Sequence, residues 1–160
     1  MKRSILGTAL LTFAFSAHSQ KYEFQIVKDI EATPVISQGQ TGTCWSFSST
    51  SFLEAEIIRI SGKQIDLSEM YNVRHTYPKK AWNYVMRQGK AQFSEGGLNH
   101  DVINSAQKFG IVPVSAYSGL VGKATAFDHT KMVAELETLL KPYADPSKQL
   151  GPKWKKEVSE

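Results

Sequence analysis

Cysteine is nearly missing from this chain: Cys44 is the only one in 160 residues. No internal disulfide can form, so stability must come from packing. Positive charge is only weakly in excess, with a net of +4 at pH 7, too slight to point to nucleic acid as a partner. The one local concentration of basic residues, Lys153, Lys155 and Lys156, falls on a predicted helix, where lysines usually make a solvated face. No group of His, Cys and acidic residues has metal-ligand spacing, and neither nucleotide-binding glycine pattern occurs. No metal or other cofactor is indicated. Internal repeats and low-complexity tracts are also missing, and beyond the first fifteen residues no apolar run is long enough for a membrane helix.

That early run has the layout of a secretory signal. Lys2 and Arg3 form a basic start, Ile5 to Phe15 is apolar but short for a bilayer, and Ala17-His18-Ser19 offers small residues for cleavage before Gln20. Residues 1–19 are therefore expected to be a signal peptide, and residues 20–160 an exported, periplasmic or extracellular portion of net charge +2. With Gln20 rather than Cys directly after the cleavage site, there is no thiol there to carry a lipid, and no membrane attachment is expected once the signal is removed. The 141 remaining residues suit one ordinary domain. An unpaired thiol in an exported protein is open to oxidation, which weakly favours a task for Cys44.

The task is suggested by the run Gln38 to Phe47, Gln-Gly-Gln-Thr-Gly-Thr-Cys-Trp-Ser-Phe. Cys44 opens a helical pattern, and a helix N-terminus carries unpaired N–H groups and about half a positive charge, which favours a thiolate over a thiol. The glycines allow backbone N–H groups to approach a bound carbonyl, and the Gln38 side chain can donate to a developing oxyanion with the Cys44 N–H as its partner. A lone cysteine is more often a small buried apolar residue. Gln38, Gly42 and Trp45 at these spacings favour the nucleophile instead.

Helical spacing recurs along the chain. Trp45, Phe52, Leu53, Ala55, Ile57, Ile58 and Ile60 cover more than one face, predicting a helix buried on most sides and ended by Gly62. Asp66 with Glu69 reads as a cap for a second helix that Pro78 should kink or split and Gly89 should stop. Asn99 is a candidate cap for a short third helix ended by Gly110, and Asp128 for a fourth that Pro142 should interrupt. Tyr22 to Ile30 alternates as an extended segment would, and residues from Trp154 onward read as the start of another helix.

The Cys44 run resembles the active-site segment of the papain-like cysteine peptidases. In Thr41-Gly42-Thr43-Cys44-Trp45, the residues Gly42, Cys44 and Trp45 match their C-G-[SA]-C-[WY] signature; Thr41 replaces a disulfide-forming Cys and Thr43 stands at the Ser or Ala position. Thr33-Pro34-Val35, Asp66-Leu67-Ser68-Glu69-Met70 and Gly89-Lys90-Ala91-Gln92-Phe93-Ser94-Glu95-Gly96-Gly97 narrow the resemblance to the bleomycin hydrolase and aminopeptidase C branch. It implies an α+β papain-like fold, of which this chain holds mainly the helical N-terminal (left) lobe, with a long central helix headed by Cys44. It further implies a cysteine-type peptidase acting on peptide substrates, an aminopeptidase in that branch, assembled as a homo-hexamer. Gly96 and Gly97 correspond to the paired glycines that expose backbone to an extended substrate, and Trp45 is taken as core that also walls the cleft.

Such an enzyme needs a His to hold the thiolate and protonate the leaving amine, and an Asn to orient that His. In the family these lie about 130 to 150 residues beyond the nucleophile, whereas 116 follow Cys44 here. His75, His100 and His129 lack the family's context and read as surface or locally bonded histidines. The catalytic His and Asn are thus expected beyond residue 160, and residues 20–160 are expected to be inactive alone. The alternative is a truncated, non-catalytic homologue that binds peptides or partners.

Overall fold

The computed structural model describes residues 22–147, Gly151 and Lys156. The signal segment expected at 1–19 and most of the helix expected from Trp154 lie outside them. Four helices follow in order: α1 (Cys44–Ser61), α2 (Glu69–Met86), α3 (Asn99–Phe109) and α4 (Thr130–Ala144). α2 is the hub, packing against the other three, while α1 also meets α3. Among the described residues, β structure amounts to two isolated bridges, Gln40 with Asp128 and Leu67 with Pro113. The arrangement agrees with the expected helical lobe, with Cys44 at the head of α1.

Two apolar clusters hold the helices together. Trp45, Met70, Val73, Tyr77 and Val102 join α1, α2 and α3, with Phe47, Leu53 and Phe127 packed around them. Ala81, Val85, Phe93 and Leu140 tie the far end of α2 to α4.

α1 departs from the expected burial. Its covered face is largely polar, comprising Trp45, Ser46, Ser49, Thr50, Glu54 and Ile58, whereas Phe52 is 61% exposed and Ile60 74%. Three groups of this polar face are answered by hydrogen bonds. Ser46 Oγ donates to the Glu69 carbonyl (2.8 Å), Asn72 Nδ2 donates to Thr50 Oγ1 (3.4 Å), and the Glu54 carboxylate accepts from the Leu67 N–H (2.7 Å) and the Thr33 hydroxyl. The apolar stripe has no such cover among the described residues. A pattern of apolar residues shows which faces can be buried, not which partner buries them.

Helix ends bring further corrections. Ser68, rather than Asp66, caps α2, its Oγ accepting from the Tyr71 N–H. Leu98 rather than Asn99 precedes α3, and Asp101 Oδ2 accepts from the Leu98 N–H. Pro78 does not split α2, nor does Pro142 end α4; both prolines are exposed, where bulk water can serve the freed carbonyl. α2 stops at Met86, before two left-handed residues, Gln88 (φ 54°) and Gly89 (φ 74°). Gly62 ends α1 as expected, at φ 66°. Tyr22 to Ile30 lies exposed and forms no strand.

Glu69 is buried at the start of α2. Burial, and after it the charges of Glu54 and Asp66, push its carboxyl up to about 7. A carboxyl whose folded-state value exceeds its unfolded value stabilises most while neutral, below the ordinary carboxylate range, and that contribution is lost as pH rises through the folded value. Glu69→Gln should therefore leave the thermal midpoint nearly unchanged at pH 4.5 and raise stability at pH 8 by on the order of 1–2 kcal/mol after solvent screening. Equal gains at both pH values would contradict this account of Glu69.

Candidate active site

The loop before α1 presents the thiol. Cys44 is the first residue of α1 and is exposed; its neighbours Thr43, Trp45 and Ser46 are buried, so the helix is anchored on either side of a reachable sulfur. Thr43 precedes the helix without a side-chain cap, and its carbonyl accepts from the Ser46 N–H (2.8 Å). The cap position thus leaves the first N–H groups of α1 without a side-chain acceptor, at the end where the helix dipole favours negative charge.

Gln38 is half-buried and locked into the same loop. Its Nε2 donates to the Thr41 carbonyl (2.5 Å), and the Thr41 hydroxyl donates back to the Gln38 carbonyl (2.9 Å). An amide NH2 has two donors, so one fixes the side chain while the other is left for an acceptor. The hydroxyls of Thr41 and Thr43 lie 2.5 Å apart, a buried polar link at the position where the signature has its cysteine.

The loop is braced from two sides. Residues 127–129 run alongside it: the Gln40 N–H donates to the Phe127 carbonyl (2.8 Å) and the His129 N–H to the Gln40 carbonyl (3.2 Å). Gly39, at φ 63°, makes this approach possible, since a Cβ there would lie 2.4 Å from the Phe127 oxygen. On the other side Glu95 Oε2 accepts from the Gly42 N–H and the Glu95 carbonyl accepts from Trp45 Nε1 (3.0 Å). Gly97 lies flat on the Trp45 indole, with room for no Cβ (2.7 Å to Cε2).

The three histidines are engaged elsewhere. His75 stacks on Phe109 with ring centroids 4.0 Å apart, His100 is exposed at the start of α3, and His129 Nδ1 shares a hydrogen bond with the Tyr77 hydroxyl (3.1 Å). Burial makes His129 less basic than usual, partly offset by Glu95 and Asp128. None is bonded to Cys44. Among the described residues no group of three His, Cys, Asp or Glu could hold a metal ion, and no helix is long and apolar enough to cross a membrane.

Residues 20–131 match the family described as papain family cysteine protease. The chain belongs to the papain family of cysteine proteases. Among relatives, cysteine proteinase 15A of Pisum sativum is 32% identical over 111 residues, which cover 65% of this chain and 28% of that protein. The mitochondrial cysteine proteinase 1 of Saccharomyces cerevisiae is 26% identical over 140 residues, 76% of this chain and 28% of the relative. Mouse cathepsin K is 38% identical over 66 residues, 36% of this chain and 20% of its own length. The chain thus aligns with 20–28% of the length of these relatives.

In this papain-family lobe the structure gathers Cys44, Gln38, Trp45, Gly96 and Gly97 around one loop pair. Trp45 is 5% exposed and belongs to the core. Gly96 is exposed, with its carbonyl accepting from Lys80 Nζ. Sequence reasoning assigned no role to Glu95, although a carboxylate directly before the glycine pair was the available signal. The strap at 127–129 had none, because its backbone hydrogen bonds join segments nearly ninety residues apart in sequence.

Proposed function

We propose that this chain is the nucleophile-bearing lobe of an exported cysteine peptidase, an aminopeptidase of the bleomycin hydrolase and aminopeptidase C type. The observation that carries the reading is an exposed thiol on the first residue of a helix, in a loop that also fixes the Gln38 amide. Cys44 attacks the scissile carbonyl as a thiolate, forming a C–S bond, and the oxyanion is met by Gln38 and the Cys44 N–H. A His beyond Glu160, oriented by an Asn, protonates the amine as the C–N bond breaks; water then hydrolyses the thioester. The backbone of Gly96 and Gly97 pairs with the extended peptide, Gly96 exchanging its Lys80 contact for the substrate. A homo-hexamer is the assembly the branch suggests. Neither nucleic acid nor membrane is a partner in this reading.

Support for the aminopeptidase branch comes from the matching stretches at 66–70 and 89–97 and from the length of the yeast alignment. The second reading, a non-catalytic peptide- or partner-binding homologue, draws on the uncovered stripe at Phe52 and Ile60. The coding sequence past Glu160 separates the two: an in-frame His and Asn support catalysis, and an immediate stop supports binding. With those residues present, aminoacyl amides should be hydrolysed at least tenfold faster than the same peptide blocked at its amino end. The reverse order would make the enzyme an endopeptidase.

A further inference from the structure

Glu95 stands across from the nucleophile loop, and its contact there is to one particular peptide unit. The Gly42 N–H donates to Glu95 Oε2, while the Thr41 carbonyl, the other end of the same planar unit, accepts from Gln38 Nε2 at 2.5 Å. In a trans peptide these two groups point in opposite directions, so Glu95 and Gln38 hold one peptide plane from its two sides. No disulfide can tie these loops, because Cys44 is the only cysteine. Glu95 takes on that connection with its side chain on Gly42 and its carbonyl on the Trp45 indole N–H. The fit is close: a Cβ on Gly42 would lie 3.0 Å from the Glu95 Cβ.

We propose that Glu95 is a positioning residue for the oxyanion donor: by fixing the Thr41–Gly42 peptide it sets the orientation of the Gln38 amide. A hydrogen bond to a carboxylate is stronger than a neutral one, and it polarises the peptide it engages, making the opposite carbonyl a better acceptor. The Thr41 oxygen thus grips one Gln38 N–H more firmly, and the geometry of the planar NH2 directs the other. Without Glu95 the peptide plane is held on its Thr41 side alone, and Gln38 loses part of the fixed direction that makes a donor effective against developing charge. This rests on the reading of Cys44 and Gln38 as nucleophile and oxyanion donor.

Two thiol probes separate the roles, applied to the full-length protein. Leucinal, an aminoacyl aldehyde, adds reversibly to Cys44: the C–S bond forms, the carbonyl π bond opens, and the negative oxygen falls to the oxyanion donors before it takes a proton. Iodoacetamide alkylates the same sulfur with loss of iodide and generates no such oxygen. In Glu95→Ala the leucinal affinity should drop roughly tenfold to a hundredfold while the iodoacetamide rate stays within about twofold, and Glu95→Gln, which keeps an acceptor oxygen of the same reach, should recover most of the affinity. If Glu95→Ala does not fold, Glu95→Asp, with its shorter arm, is compared with Glu95→Gln instead. Unchanged leucinal affinity overturns the proposal, as does a parallel loss with both probes, which would make Glu95 only a brace for the loop. A wild-type protein that leucinal does not capture, and that iodoacetamide alkylates no faster than free cysteine, would instead overturn the reading of the site itself.

Discussion

Replacing Cys44 with Ser in the full-length protein should lower peptide hydrolysis by about four orders of magnitude or more while leaving the helical lobe folded. The two expectations have different causes. A hydroxyl is far harder to ionise than a thiol, so a serine at the same position cannot supply an equivalent nucleophile. The fold is indifferent because the sulfur is exposed and bears no packing; the anchors of that helix turn are the buried Thr43, Trp45 and Ser46. Initial rates on an aminoacyl amide and circular dichroism of the two proteins check both halves. Hydrolysis retained above about one per cent of the wild-type rate would place the chemistry elsewhere.

The largest structural effect should come from Gly39→Ala. At φ 63° a side chain is already strained, and here the new Cβ would meet the Phe127 oxygen at 2.4 Å. Relief requires moving the strap at 127–129, which breaks the Gln40 and His129 backbone hydrogen bonds. A loss of about 2–4 kcal/mol is expected, combining left-handed strain with overpacking. Gly62→Ala is the control: its φ of 66° is similar, but nothing lies within 4 Å of the added Cβ, so only about 1 kcal/mol should be lost. Denaturant unfolding of both variants decides. Equal losses would mean that the strap yields without cost and does not brace the loop.

The candidate site was legible in the sequence where its parts are consecutive. Gln38, Gly42, Cys44 and Trp45 lie within one turn and one loop, so their spacing alone restricts what they can do. The four helices were legible for the same reason, from apolar spacing and from Gly62 and Gly110 at their ends. What could not be read depends on distant segments. Glu95 reaches Gly42 across 53 positions, and the buried polar face of α1 needed Leu67, Asn72 and Glu69 from α2 and its approach to answer it. Pro78 does not split its helix, nor does Pro142 end its own, because exposure, which the sequence does not reveal, decides whether a lost hydrogen bond is tolerated inside a helix.

The central claim is that position, rather than the cysteine itself, makes the sulfur of residue 44 a nucleophile. Its most direct test is the rate of iodoacetamide alkylation of the full-length protein near neutral pH, beside a short unstructured peptide spanning Gln38 to Phe47. The account predicts alkylation of the folded protein roughly tenfold or more faster than that of the peptide. Equal rates for the two would contradict it.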